Sequence, residues 1–460
     1  MHLGEVQDSW LHSTTLINAF FKPDFKFSFS KLVFFSAFLF GVFLPTISFF
    51  SSRWYGNAEA ERYFFMIPTS SLLTARITLL VLMVVLLLPN ASGAQQAYIP
   101  EIDGHLIEDA WFVKDVQKAI NLVYNQEFEA SVELLGPWFQ TGKAEPIRIF
   151  WDGLPIWWDI LADLESEEFD EAFITIMEEA DRAGDVVLRR DRRNLDAMVI
   201  KALANGFLAR LHANRTNWYK SLSHGRQAIS LLFTIEQLYP DVPDVQFGLG
   251  LYSYFTAYLN DEYRLVRAVS WMIPSGDKTE GLERLTVAAS ESAFMRPEAT
   301  YFLGHIYLHY EQETDLAEQF LTGLVEEYPQ NAFFSRLMLR TYYQQREYGK
   351  AIALNDSLVQ RLEPLEHKPT MEELLTMRGM LHFRNRNYDQ AEAYFERVMA
   401  LGQELQKGEA RHQQMLARYH LGLIYMRTGR ETESRRMFRS VRDADKDSPL
   451  SERARRMLRD

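Results

Sequence analysis

Residues 297–329 read PEATYFLGHIYLHYEQETDLAEQFLTGLVEEYP, and the spacing within them decides the fold. Leu303, Gly304 and Tyr307 share one helical face; after a polar turn, Ala317, Leu321 and Leu324 share another, and Pro329 ends it. The order returns three times further along. A second unit has Tyr342, Tyr348, Ala351, Leu358 and Pro364, and a third has Gly379, Tyr388, Ala391, Phe395 and Val398. The last has Leu421, Gly422, Tyr425, Gly429, Ser434, Phe438 and Val441, closing near Pro449. The small residues let two helices approach closely while the tyrosines fill the space beside them. Such pairs cannot bury their apolar faces alone, so they stack.

This pattern resembles the tetratricopeptide repeat family, in which each unit of about 34 residues is a helix-turn-helix. The resemblance implies an all-α, right-handed α-solenoid of antiparallel helix pairs, with repeats over 291–447 and a polar capping helix over 448–460. Three departures stand out. The first unit carries an extra residue in its turn between Glu311 and Asp315, the second has Leu339 where a glycine is usual, and the third has Arg378 and His382 in unexpected places.

Upstream, residues 95–290 read as divergent helical repeats. Apolar residues fall at helical spacing from Glu108 to Tyr124 and from Glu127 to Phe139. Trp151, Trp157 and Trp158 lie in the most aromatic stretch, which is expected to anchor a core and run as a long helix into Ile160 and Leu164. Gly248 and Gly250 sit in an apolar helical context, without the strand that a phosphate loop needs. Asp277 and Glu280 fit a capping box. The aromatic segment, the glycine-rich helix and the Ser275-Gly276-Asp277 turn are distantly similar to a eukaryotic repeat family implicated in clearing protein inclusions, from which no function is carried over.

The amino-terminal part reads as an address. Arg76, the apolar run from Ile77 to Leu88 and the small residues Ser92-Gly93-Ala94 follow the order of a secretory signal over 66–94, with cleavage expected after Ala94. Residues 1–65 hold 14 of the 32 Phe residues and a second apolar segment from Leu32 to Phe50. A signal so far inside a chain suggests a start at Met66; the alternative is a two-segment membrane anchor.

Composition bounds the function. The net charge is −13, with 21 acidic and 7 basic residues over 101–190 and 7 acidic and 13 basic over 411–460. An acidic chain repels nucleic acid, and the basic tail reads as the solvated end of the last helices. The chain has no cysteine, which excludes disulfides, thiolate metal sites and a cysteine nucleophile. His305 and His309 are one turn apart near Glu311, but no third ligand is evident and no metal is expected. The acidic run Glu165, Glu167, Glu168, Asp170 and Glu171 reads as a solvated helix start. No nucleophile elbow or phosphate loop is present, so no catalytic residue and no cofactor is assigned and an enzyme is not expected.

The expected site is the concave groove. The repeat register directs Glu298, Tyr301, His305 and Leu308 into it, followed by Phe333, Arg336, Arg340 and Tyr343. Met380 and Phe383 come next, and Tyr419, Leu423 and Met426 last. Arg336 and Arg340 would either clasp a carboxylate of a partner or pair with neighbouring Glu residues. The expectation is an exported scaffold, periplasmic or envelope-associated in a bacterium, that binds a protein or peptide and no nucleic acid. The alternatives are a periplasmic ligand-binding protein or enzyme using the Trp-rich half, and a membrane-anchored organelle adaptor.

Overall fold

The computed structural model describes residues 104–262, 276–365, 367–405, 410–445 and 448–459. The expected signal, its cleavage point and the 1–65 extension lie outside the described residues. An all-α helical repeat solenoid is observed. Its helices are α1 (Ala110–Tyr124), α2 (Phe128–Phe139), α3 (Glu145–Asp152), α4 (Leu154–Ala162), α5 (Asp170–Arg190) and α6 (Leu195–Asn214). There follow α7 (Trp218–Leu238), α8 (Val245–Glu262), α9 (Lys278–Glu291), α10 (Arg296–His309), α11 (Thr314–Glu327) and α12 (Ala332–Gln344). The array closes with α13 (Tyr348–Leu362), α14 (Lys368–Arg384), α15 (Tyr388–Leu405), α16 (His412–Arg427), α17 (Glu431–Ala444) and α18 (Pro449–Arg459).

The repeat unit is visible in the turn between paired helices. One residue with positive φ sits in each of six turns: Gln126, Thr216, Gln312, Arg346, Arg386 and Gly429. In five of them the next amide reaches back over the helix end in the same way, as in Asn217 to His212, Glu347 to Tyr342, Asn387 to His382 and Arg430 to Tyr425. Glu127 to Leu122 does this in the α1–α2 pair, so that pair and α6–α7 share the turn of the C-terminal units. In the α10–α11 turn Glu313 reaches Tyr307, one residue farther, which accommodates the extra residue expected there.

The glycines explain the close approach of paired helices. A Cβ on Gly304 would lie 2.8 Å from Leu321, one on Gly379 2.7 Å from Phe395, and one on Gly422 2.8 Å from Phe438. Gly281 is tighter still, since its Cβ would lie 2.5 Å from the backbone nitrogen of Tyr254. Asp277 accepts from the Glu280 amide at 2.8 Å, as a cap should. The reciprocal half of the box is replaced: the Asp277 amide donates to Ser253 Oγ at 2.9 Å, which ties α9 to α8.

The three tryptophans are core residues, but the expected long helix is two. α3 and α4 break at Gly153, whose Cβ would clash with Met177 at 2.2 Å, and α4 ends before Leu164. This break aims α4 at the first helices of the C-terminal units. Trp158 packs edge-on to Phe333 and Phe334, and Tyr124 stacks on Phe334. Tyr124 Oη donates to Glu298 Oε1 at 2.9 Å, and Asn331 Nδ2 donates to the Tyr124 carbonyl at 3.0 Å. The amino-terminal elements therefore cover the apolar face that α10 and α12 would otherwise present to solvent.

Candidate functional site

The sequence placed the site on the first helices of the pairs, α10, α12, α14 and α16. The structure buries most of those residues. Tyr301, His305, Arg336, Arg340, Tyr343, Met380, Phe383 and Leu423 are buried, Phe333 and Tyr419 are half-buried, and Met426 is exposed. They do not form one open groove. Tyr301, Phe333, Arg336 and Arg340 reach a common cavity, whereas Met380, Phe383 and Leu423 belong to the core around α14 and α16.

The two arginines already have a carboxylate. Arg336 Nη1 donates to Glu373 Oε2 at 2.8 Å, Arg340 donates to Glu373 Oε1, and Arg336 Nη2 donates to the Leu161 carbonyl at 3.2 Å. Burial works against the charge of Glu373, but Arg340 and Arg336 outweigh it and hold its carboxyl below the ordinary range. Of the two readings of the arginine pair, the internal ion pair is the one observed.

A second charge cluster was missed. Arg411, at the start of α16, donates from Nε to Glu372 Oε2 at 2.8 Å and from Nη2 and Nη1 to Asp163 at 3.0 and 3.2 Å. The His412 amide meets both carboxylate oxygens of Glu165 at 3.2 Å. The segment after α4 is thus strapped across to α16. Burial pushes the carboxyl of Glu372 up to about 7 despite Arg411. Two adjacent carboxyl groups, Glu372 and Glu373, just before Leu374 and Leu375 on a buried helix were the signal available in the sequence. Asp163 and Glu165 carried none, because acidic residues after a helix normally face water. Of the acidic run, Glu165 is held by α16 and Asp170 by Arg215 at 2.6 and 2.8 Å, so neither is a merely solvated charge.

Between these clusters lies a cavity of about 280 Å³. Its wall combines residues 161–165 with Tyr301 of α10, Phe333 and Leu337 of α12, Glu372 of α14, Met415 and Leu416 of α16, and Leu450 of α18. Five carboxyl side chains face it (Asp163, Glu165, Glu372, Glu373, Asp445) against four arginines (Arg336, Arg340, Arg411, Arg453). Among the described residues no group of three or more potential ligands could hold a metal. His305 and His309 are buried with ring centroids 4.6 Å apart and no hydrogen-bond partner on either ring nitrogen of each. Burial, with Arg340 and Arg210 near, holds His305 down at about 3.

Residues 370–447, which include α15, α16 and α17, match the family model described as tetratricopeptide repeat. Over these residues the chain carries tetratricopeptide repeats. Solved structures of similar fold include NprR in complex with its cognate peptide NprX, at 15% identity and TM-score 0.38, covering 66% of this chain and 80% of that one. Yeast Tom70 is 12% identical with TM-score 0.39, covering 76% of each chain. The human IFIT1 dimer with PPP-AAAA is 14% identical with TM-score 0.43, covering 79% of this chain and 86% of that one. No curated protein matches the chain by sequence. In the described part of this repeat protein, no helix is long and apolar enough to cross a membrane.

Proposed function

We propose that this tetratricopeptide repeat protein is a scaffold that receives a segment of a partner protein or peptide in the cavity closed by residues 161–165. The observation that carries the reading is the wall itself: four first helices and α18 each supply side chains to one space, with apolar and charged groups side by side. Stacked helix pairs create binding surfaces of this kind because each unit adds a few side chains at a fixed spacing. The work is binding rather than chemistry: Arg336, Arg340 and Arg411 are engaged by Glu373, Glu372 and Asp163. Export to the bacterial envelope is part of the proposal, supported by the Arg76, Ile77 to Leu88 and Ala94 order of the sequence.

The test is capture of partners with the tagged full-length chain in its own cells, followed by mass spectrometry, beside Ala410→Phe. Ala410 lines the cavity from the loop before α16 and is half-buried, so the larger side chain fills space with little strain on the helices. Loss of a partner from the folded variant is expected. Equal capture by both proteins would overturn the reading.

A further inference from the structure

We infer that the cavity takes a cationic, hydrogen-bond-donating side chain of the partner, a lysine or arginine, with its head at Glu372 and Gln413. This rests on the proposed scaffold reading and reverses the acidic partner that Arg336 and Arg340 suggested from the sequence.

The charge count points this way first. Five carboxyl groups face four guanidinium groups, and the guanidinium groups of Arg336, Arg340 and Arg411 are already bound to Glu373, Glu372 and Asp163. An incoming carboxylate would add to the acidic groups there and, unless it met Arg453, would have to displace Glu373 from a buried pair. Hydrogen bonding points the same way. Glu372 Oε1 and Gln413 Oε1 are buried acceptors with no partner, on two side chains that line the cavity. Arg336 Nε is a partnerless donor there, but both terminal nitrogens of that guanidinium are engaged. A buried acceptor without a donor is destabilising, and a ligand N–H relieves it.

The rest of the wall suits the stem of such a side chain. Leu337, Met415, Leu416 and Leu450 are apolar and buried, and Phe333 and Tyr301 add aromatic carbon to the wall. Long cationic side chains bury an aliphatic stem while keeping the head on polar groups. Occupation would also hold Glu372 ionised. Its carboxyl faces Arg411 of α16, Asp163 and Glu165 of the strap, and Glu373 and Arg336 nearby, so a further cation would shift its balance toward the charged form.

The experiment is fluorescence polarisation of the full-length chain with labelled, blocked pentapeptides of alanine. Their central residue is lysine, arginine, the uncharged isostere norleucine, or glutamate. Lysine or arginine peptides are expected to bind at least about tenfold tighter than norleucine, and Glu372→Gln to remove about tenfold of that preference. Circular dichroism should show Glu372→Gln folded, because its amide oxygen can still accept from Arg411. Binding of the lysine peptide should tighten as pH rises from about 6 to about 8. Norleucine or glutamate binding equally well, or no peptide binding at all, would overturn the assignment. If partner capture in cells is then still lost in Ala410→Phe, the scaffold reading stands without it; if capture is unchanged, both fall.

Discussion

Asp163 and Arg411 lie 248 residues apart in sequence and are joined by two hydrogen bonds of 3.0 and 3.2 Å. That pair turns an array in which each unit needs only its neighbours into one whose amino-terminal part is fastened to its last full repeat. It also helps to form the cavity, since the same segment supplies Leu161, Asp163 and Glu165 to the wall.

Arg411→Ala should destabilise the fold by about 3 kcal/mol, because it leaves the buried carboxyl of Glu372 and the half-buried one of Asp163 without their cation. The check is the midpoint of urea unfolding, together with hydrogen exchange at the His412 amide. An unchanged midpoint with unchanged exchange would mean that the strap is held by packing alone.

The double substitution Arg336→Ala and Arg340→Ala should cost about 3–5 kcal/mol by stranding Glu373. Replacing all three residues with apolar ones, Arg336→Met, Arg340→Met and Glu373→Leu, should be far milder. Thermal melting of the two variants separates this from a clamp role, in which the double variant would fold normally and lose only binding.

Gly281→Ala and Gly323→Ala should move stability in opposite directions. A Cβ on Gly281 meets the backbone of Tyr254, so α8 and α9 must part, at a cost of about 1–3 kcal/mol. A Cβ on Gly323 meets nothing within 4 Å on an exposed helical position, so alanine should add about 0.5–1 kcal/mol through helix propensity. Denaturation of the two single variants under identical conditions is sufficient.

Glu372 should make the protein less stable as pH rises. Its folded carboxyl titrates at about 7, above the ordinary carboxylate value, because burial disfavours the charge. Between about pH 4.5 and 7 the folded chain keeps a proton that the unfolded chain has lost, so stability falls through that window by about 3 kcal/mol. Glu372→Gln should therefore match the parent near pH 5 and exceed it near pH 8 in urea midpoint.

His305 acts at the other end with the opposite sign. Burial holds it at about 3, so below about pH 6.5 the unfolded chain takes up a proton that the folded chain refuses, and stability falls as pH drops. His305→Phe keeps an aromatic ring among Tyr301, Phe302 and Tyr310 and removes that proton. The variant should unfold at lower pH than the parent in an acid titration followed by circular dichroism.

The repeat core was legible because its signals are local. Gly304 with Leu321, Gly379 with Phe395 and Gly422 with Phe438 lie within one helix pair, where helical geometry alone brings them together. The tryptophans were read correctly as core for a similar reason: large rings in an apolar run are rarely left in water. Two features were not legible where a distant element intervened. Glu298 and Phe333 have the register of a groove, but whether that face meets water depends on Tyr124 and Trp158, which meet them from another part of the chain. Likewise, no spacing in the sequence connects Asp163 to Arg411 or places Glu372 at a cavity. Periodicity reports which side chains share a helix face. Which face is covered, and which charges neutralise each other, follows from the break at Gly153 and from the packing of α4 against α12, so only tertiary packing decides it.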